Sequence, residues 1–228
     1  MRKIIVTEFI TLDGVVEAPG GNETPHPHGG WQTKFGHPEG GKYKMDELAA
    51  VDALLLGRTT YEVFAGYWPG QGGNGFGDRM NQLPKYVVSR SLKKVDWNNT
   101  HILRGVKGGD VAGRGAAESG MTGRDVKGGD VAARGVAGGG VAGDADAGDV
   151  ASLKKTDGGD ILVYGSATLV KALLHHDLID ELHLMVYPVC VGGGLRLFED
   201  NRELKKFGLK QSRALDNGVI ILEYQLTS

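Results

Sequence analysis

The sequence predicts an α/β domain built on a mixed, mostly parallel central sheet flanked by helices, with a glycine-rich repeat insertion. Three observations carry this. The stretch "ILVYGSATLVKALL", Ile161 to Leu174, changes period at Gly165. A short apolar run precedes the glycine, and Leu169, Ala172 and Leu173 follow at helical spacing, so strand, tight turn and helix succeed one another. Strand-like runs alternate with helical patterns through most of the chain, and strands joined by helices demand parallel pairing. The C-terminal tail is strand-rich, with "DNG" at Asp216 to Gly218 as a hairpin turn, which adds antiparallel edges.

In chain order, Arg2 to Phe9 read as the first strand and "TLDG" as the turn that ends it. A long loop rich in Pro, Gly, His and aromatics follows. Lys44 to Val51 read as a helix, "DALLLG" as a buried strand and "TTYEVFAGYW" as a helix with an apolar face. "KYVVSRS" and "THILRG" are further strands, then "ILVYGSATLVKALL", then the long strand "DELHLMVYPVCV". "LRLFED", "LKKFGLKQSRAL" and "GVIILEYQL" complete the tail. Between "THILRG" and "DILVYG" the composition breaks. "VKGGDVAGRG" at Val106 returns as "VKGGDVAARG" at Val126, and the segment from about 105 to 150 carries no aromatic residue. So little apolar surface cannot offset the ordering entropy of so many glycines. The segment is read as a low-complexity insertion in a surface connection of a single domain spanning 1–228.

A chain of 228 residues with a net charge of -2 suits one soluble domain and lacks the basic field that nucleic-acid or membrane-surface binding needs. No apolar run approaches the ~20 residues of a membrane span, and Glu8 interrupts the apolar N-terminus too early for a signal peptide. A cytoplasmic setting is the expectation. The single cysteine, Cys190 in "MVYPVCV", excludes an internal disulfide and reads as a core residue.

Three strand ends finish in small or polar residues: "LLLGRTTYE" (Gly57, Arg58, Thr59, Thr60), "YVVSRS" (Ser89, Arg90) and "VYGSATL" (Gly165, Ser166, Ala167, Thr168, Leu169). In an open α/β sheet, ligands bind where strand C-termini meet helix N-termini, and the amides and dipole there favour anions. Two guanidiniums and several hydroxyls suit a phosphate monoester, and "GSATL" offers backbone donors for a diphosphate. Each turn alone is more often a plain cap, and neither GxGxxG nor GxxxxGK[ST] occurs at these turns.

The same stretches, with "TEFITLDGVVEAPGG" and "MVYPVCVGGGLRLF", resemble the dihydrofolate reductase-like superfamily. The nearest likeness is to the C-terminal reductase domain of the bifunctional riboflavin-biosynthesis deaminase/reductase. The resemblance covers most of the chain outside the insertion. It implies an NADPH site, commonly a homodimer, and reduction of a heterocyclic or ribosylated small molecule such as the ribosylaminopyrimidine of riboflavin synthesis. It assigns Gly57 to Thr60, with Ser89 and Arg90, to the 2'-phosphate side of the cofactor. Gly165 to Leu169 fall under the diphosphate, Gly14 to Pro19 in the loop over nicotinamide, and Gly192 to Gly194 beside substrate or the dimer seam.

Two departures matter. Ser166 stands where dihydrofolate reductases have a second glycine. Their acid at the start of the helix before "LLLG" falls near Gly41 and Lys42, so folate reduction is not expected. Asp13 is the candidate polar group near nicotinamide, or else a turn-capping residue in "LDG". Trp31, Phe35 and Tyr164 are candidates for a flat substrate pocket, or else core. His26, His28 and His37 lack partners at a recognised metal spacing, so no metal is expected. The reading from another class is a non-catalytic dimeric nucleotide-binding protein of this fold.

Overall fold

The computed structural model describes residues 1–21, 24–107, 148–198 and 204–227. The strands are β1 (Ile4–Thr11), β2 (Ala53–Gly57), β3 (Lys85–Val88), β4 (Thr100–Leu103), β5 (Ile161–Val163), β6 (Glu181–Tyr187), β7 (Lys206–Ala214) and β8 (Ile220–Thr227). The helices are α1 (Pro38–Ala49), α2 (Arg58–Tyr67), α3 (Gly75–Gln82), α4 (Val150–Leu153) and α5 (Ala167–His175). Among the described residues, the eight strands form one sheet in the order β4-β3-β2-β5-β1-β6-β8-β7. Only β8 runs against its neighbours, β6 and β7. The mixed, mostly parallel α/β architecture is the one the sequence predicts.

β2 reads "ALLLG" and is buried at every position, as a parallel strand covered on both faces must be. On one face α4 and α5 set Val150, Leu153, Leu169, Val170 and Leu173 against Ile4, Val6, Leu55 and Val163. On the other, Leu48 of α1, Tyr61 of α2 and Met80 of α3 cover Leu54, Leu56, Val87 and Leu162. The connections leaving the adjacent strands β1 and β5 therefore go to opposite faces and opposite sides. Helix N-termini thereby meet the C-terminal ends of the strands, where an open sheet binds ligands.

Several boundaries differ from the sequence reading. α1 begins at Pro38, because His37 Nδ1 accepts the Glu39 amide at 3.2 Å and proline suits the first helical position. α3 has no counterpart in the sequence reading; the Asn74 side chain caps it by accepting the Gly77 amide at 2.7 Å. Its C-terminal end is closed by Lys85, a fully buried lysine whose Nζ donates to the carbonyls of Met80, Asn81 and Leu83 at 2.9, 3.0 and 2.7 Å. Burial pulls its pKa down to about 8. β6 stops at Tyr187, since Pro188 has no N–H to give the ladder, and Cys190 beyond it is exposed rather than part of the core. "LRLFED" forms no strand among the described residues; Arg196 makes an isolated bridge to Val15.

Residues 108–147 of the insertion lie outside the described residues. Its two ends do not. Gly105 and Asp149 bridge in parallel, and Val106 and Val150 are fully buried, so these four residues belong to the domain rather than to the insertion. Because the chain leaves and returns at one point, joining Lys107 to Gly148 by a short linker is expected to preserve the fold. Loop closure changes only slowly with length, so urea denaturation should shift by no more than ~1–2 kcal/mol. A larger loss would show that the repeats support the core.

Candidate functional site

The three turns picked out in the sequence converge. Gly57, Arg58, Thr59, Ser89, Arg90, Ser166, Thr168 and Leu169 line one cleft of about 340 Å³ at the C-terminal ends of β2, β3 and β5. Of the remaining turn residues, Ala167 is buried beneath it, while Thr60 and Gly165 face inward toward β1. The Gly57 amide donates to the Gly165 carbonyl at 2.9 Å. A Cβ built on Gly57 would lie 2.9 Å from the Ser166 nitrogen and closer still to its hydroxyl. Glycine at 57 is thus required by proximity, and Gly165 by its φ of 95°.

The helix N-termini at this cleft are open. Neither Gly57, which precedes α2, nor Ser166, which precedes α5, makes a side-chain cap. Their first amides are free to take an anion, favoured by the helix dipoles. Arg58 pairs with Glu62 at 3.1 Å on the half-exposed surface of α2, an ion pair worth at most ~1 kcal/mol. Arg90 is exposed and has no ion pair among the described residues. Its loop is pinned by Arg104, which donates to the carbonyls of Ser89, Arg90 and Leu92 at 3.0, 3.3 and 2.8 Å. Arg104 was not singled out in the sequence, where it reads as the end of an edge strand.

Deeper, between β1, β5 and α1, lies a group of charges that the sequence reading did not assemble. Lys44 Nζ donates to Glu47 and to the Thr7 hydroxyl, each at 2.6 Å, and sits 4.8 Å over the Tyr164 ring and 5.3 Å over Phe9. Glu47 in turn meets His183 Nδ1 at 2.7 Å. Burial would raise the Glu47 carboxyl, but the Lys44 charge and the His183 hydrogen bond hold it well below its ordinary value. Helix α1 therefore carries a buried acid near its end rather than at its start, and that acid is neutralised. Glu8 differs. The residue is half-buried, its Oε1 is sealed from solvent, and that atom has no hydrogen-bond partner. Burial pushes its pKa up to about 8 against the pull of Lys44. The signal for Glu8 was visible as the lone acid in "IIVTEFIT".

The remaining candidates fall elsewhere. Asp13 accepts from the Thr11 hydroxyl at 2.6 Å and from the amides of Gly192 and Val191 at 2.8 and 3.3 Å. The Thr11 hydrogen bond, with those amides, holds it down at about 2, so it clasps two loops and carries no transferable proton near neutrality. Gly14 to Pro19 are laced in place: Val16 N donates to Leu195 O at 2.9 Å and Leu197 N to Gly14 O at 3.0 Å. Trp31 and Phe35 pack edge-on against Tyr187 in the aromatic core, whereas Tyr164 packs against Phe64, so the three share no pocket wall. His26 meets the Gly193 carbonyl at 2.8 Å and His37 meets Asp216 at 2.8 Å. Among the described residues, no group of three or more His, Cys, Asp or Glu could hold a metal ion.

The Gly57 contact is directly testable. Gly57→Ala forces the two turns apart or strains them, and overpacking of this kind costs about 1–3 kcal/mol. Urea denaturation should show that loss, while Gly66→Ala, in open space on α2, should show none.

The fold is found in known proteins. Among solved structures, a putative riboflavin biosynthesis protein from Shewanella sp. PV-4 matches at TM-score 0.61 and 16% identity, over 99% of both chains. RibD of Acinetobacter baumannii matches at TM-score 0.62 and 14% identity, over all of this chain and 59% of its own length. A Thermotoga maritima diaminohydroxyphosphoribosylaminopyrimidine deaminase/5-amino-6-(5-phosphoribosylamino)uracil reductase matches at 0.58 and 13%, over 57% of its length. The Bacillus subtilis (strain 168) protein YyaP is 25% identical over 98% of this chain and 94% of its own. No helix among the described residues is long and apolar enough to cross a membrane. The model of the RibD C-terminal domain matches residues 2–221, and the chain belongs to that family.

Proposed function

We propose that this protein is an NADPH-dependent reductase of a heterocyclic or ribosylated small molecule, resembling the uracil reductase step of riboflavin synthesis. The observation that carries the reading is the cleft in which open helix ends, hydroxyls and two arginines meet at the ends of three parallel strands. A dinucleotide phosphate fits that donor set: Ser166 and Thr168 with the α5 amides on the diphosphate, Arg90 with Arg58 on the 2'-phosphate. Bound reduced nicotinamide would supply hydride, and the protein's part is position and charge. Arg104 fixes the loop that presents Arg90. The Gly57–Gly165 contact fixes the spacing between the two phosphate-facing turns. The family and the Thermotoga relative's reductase activity support a substrate of the ribosylated pyrimidine kind.

NADPH is expected to bind more tightly than NADH, with Arg90→Ala losing more of that preference than Arg58→Ala, whose guanidinium is shared with Glu62. A charge-assisted hydrogen bond contributes about 1.5–3 kcal/mol, or roughly 10- to 150-fold in affinity. Calorimetry on the three proteins decides it, and equal affinity for both cofactors in the wild type would remove the basis of the reading. Absorbance at 340 nm against pterins, pyrimidines and quinones then identifies the acceptor class.

We also propose a homodimer through the β-rich tail. β7 ends the sheet as an open edge, and Leu209 and Ile220 on the β7–β8 ribbon are 57% and 41% exposed. Light scattering should give twice the 24.2 kDa chain mass at micromolar concentration; a monomer mass rejects the dimer.

A further inference from the structure

We propose that Glu8 is the proton donor of this site, giving its proton to the substrate atom left negative by hydride addition. The inference rests on the reductase reading above and adds the residue that completes the chemistry. The cleft runs across the ends of β3, β2 and β5, and the next strand in the sheet is β1. A dinucleotide with its phosphates at Arg90 and Ser166 would have its other end toward β1, where Glu8 stands two residues beyond Val6, the partner of Val163 in β5. At the Gly165 turn no side chain stands between Glu8 and the cleft. A Cβ there would lie 3.2 Å from Glu8 Oε1 and 3.4 Å from the Thr60 hydroxyl, so any side chain would fill the space in front of the carboxyl.

The groups around Glu8 single it out. Lys44 faces it from α1, Thr60 from α2 and Gly165 from the β5–α5 turn. Glu47 is ionised and bonded to Lys44 and His183. Asp13 is ionised and bonded to loop amides. Burial raises Tyr164 well above its ordinary value, too weak an acid to serve. Glu8 alone of these holds a carboxylic proton at neutral pH, and it spends no hydrogen bond at Oε1 on the protein. An acid whose pKa lies near the working pH is the effective donor.

The step balances. The substrate carbon of a C=N or C=O bond gains a hydride, and the π pair moves to the heteroatom. That heteroatom takes the Glu8 proton, and the resulting carboxylate is reprotonated from solvent. The two electrons come from reduced nicotinamide, which leaves oxidised.

Nuclear magnetic resonance of the Glu8 side-chain carboxyl carbon, assigned through its own γ protons in the ligand-free wild type, should titrate with a midpoint near 8. A midpoint in the ordinary glutamate range, about 4.3, overturns the proposal. NADP+ has a cationic ring, so its binding near neutral pH should release protons, counted by calorimetry in buffers of different ionisation enthalpy. NADPH should release fewer, only what its 2'-phosphate loses to the arginines, and Glu8→Gln should release that smaller number with either; an NADP+ excess retained by Glu8→Gln overturns the assignment. On an acceptor from the panel, Glu8→Gln should lose about 10²- to 10⁴-fold in kcat at unchanged NADPH affinity, and a variant as fast as wild type overturns it. Glu8→Asp replaces Glu8→Gln if the latter does not fold, and should then shift the midpoint and slow kcat rather than abolish either. Failure of both dinucleotides to bind the wild type overturns the reductase reading and the donor role together. A normal midpoint with intact binding overturns the donor role alone.

Discussion

A Cβ at Gly57 would meet the backbone nitrogen of Ser166 at 2.9 Å, and the Gly57 amide already donates to the Gly165 carbonyl at the same distance. This backbone contact ties the end of β2, which opens directly into α2, to the short turn that joins β5 to α5. Parallel pairing of Ala53 to Leu55 with Ile161 to Val163 places those ends side by side, but it does not by itself bring two helix N-termini to one cleft. The missing side chain at 57 does. With it the amides of α2 and α5 converge, and Arg58, Arg90, Ser166 and Thr168 line one volume rather than three separate turns.

Beneath the cleft, the protein buries charge and resolves it in three different ways. Lys85 gives its protons to three carbonyls at the end of α3, so no counter-ion is required. Lys44, Glu47, His183 and Glu181 form a continuous line that reaches Lys3 and Lys210 at the edge of the sheet, at 2.9 and 2.7 Å from Glu181. Removing one member of such a line leaves an uncompensated buried charge, which costs about 3–5 kcal/mol. Glu8 takes the third course. With no partner at Oε1 it keeps its proton, and the burial that would be a liability for a carboxylate becomes the source of an acid near neutrality.

Past the ends of β1 and β6 the loops hold one another. Asp13 holds the amides of Val191 and Gly192, Glu17 holds the Leu195 amide at 2.8 Å, and Arg196 bridges to Val15. Trp31 donates to the Glu17 carbonyl at 2.9 Å and packs with Phe9 and Phe35 around Tyr187. The long N-terminal loop is thereby anchored to an aromatic core at one end and to the Gly192 loop at the other.

The sequence by itself determined the α/β class, the strand–glycine–helix turns and the antiparallel tail, because each depends on local periodicity or on turn chemistry at neighbouring positions. Gly57, Ser89 and Gly165 were legible for that reason: each ends a strand and starts a helix or turn. Tertiary structure alone decided the rest. Lys44 and Glu47 are one turn apart on α1, but His183 lies far along the chain and meets them only because α1 lies over β1 and β6, so no spacing announces the trio. Glu8 showed only as a break in an apolar strand; its burial depends on what α1, α2 and the Gly165 turn place around it. Asp13 carried two readings, a group near the cofactor or a turn cap, and Cys190 was read as core. The first satisfies amides from residues 191 and 192, and the second leaves the core when Pro188 ends its strand. A residue's neighbours along the chain fix its backbone, whereas its charge state and exposure are fixed by groups that only folding brings near.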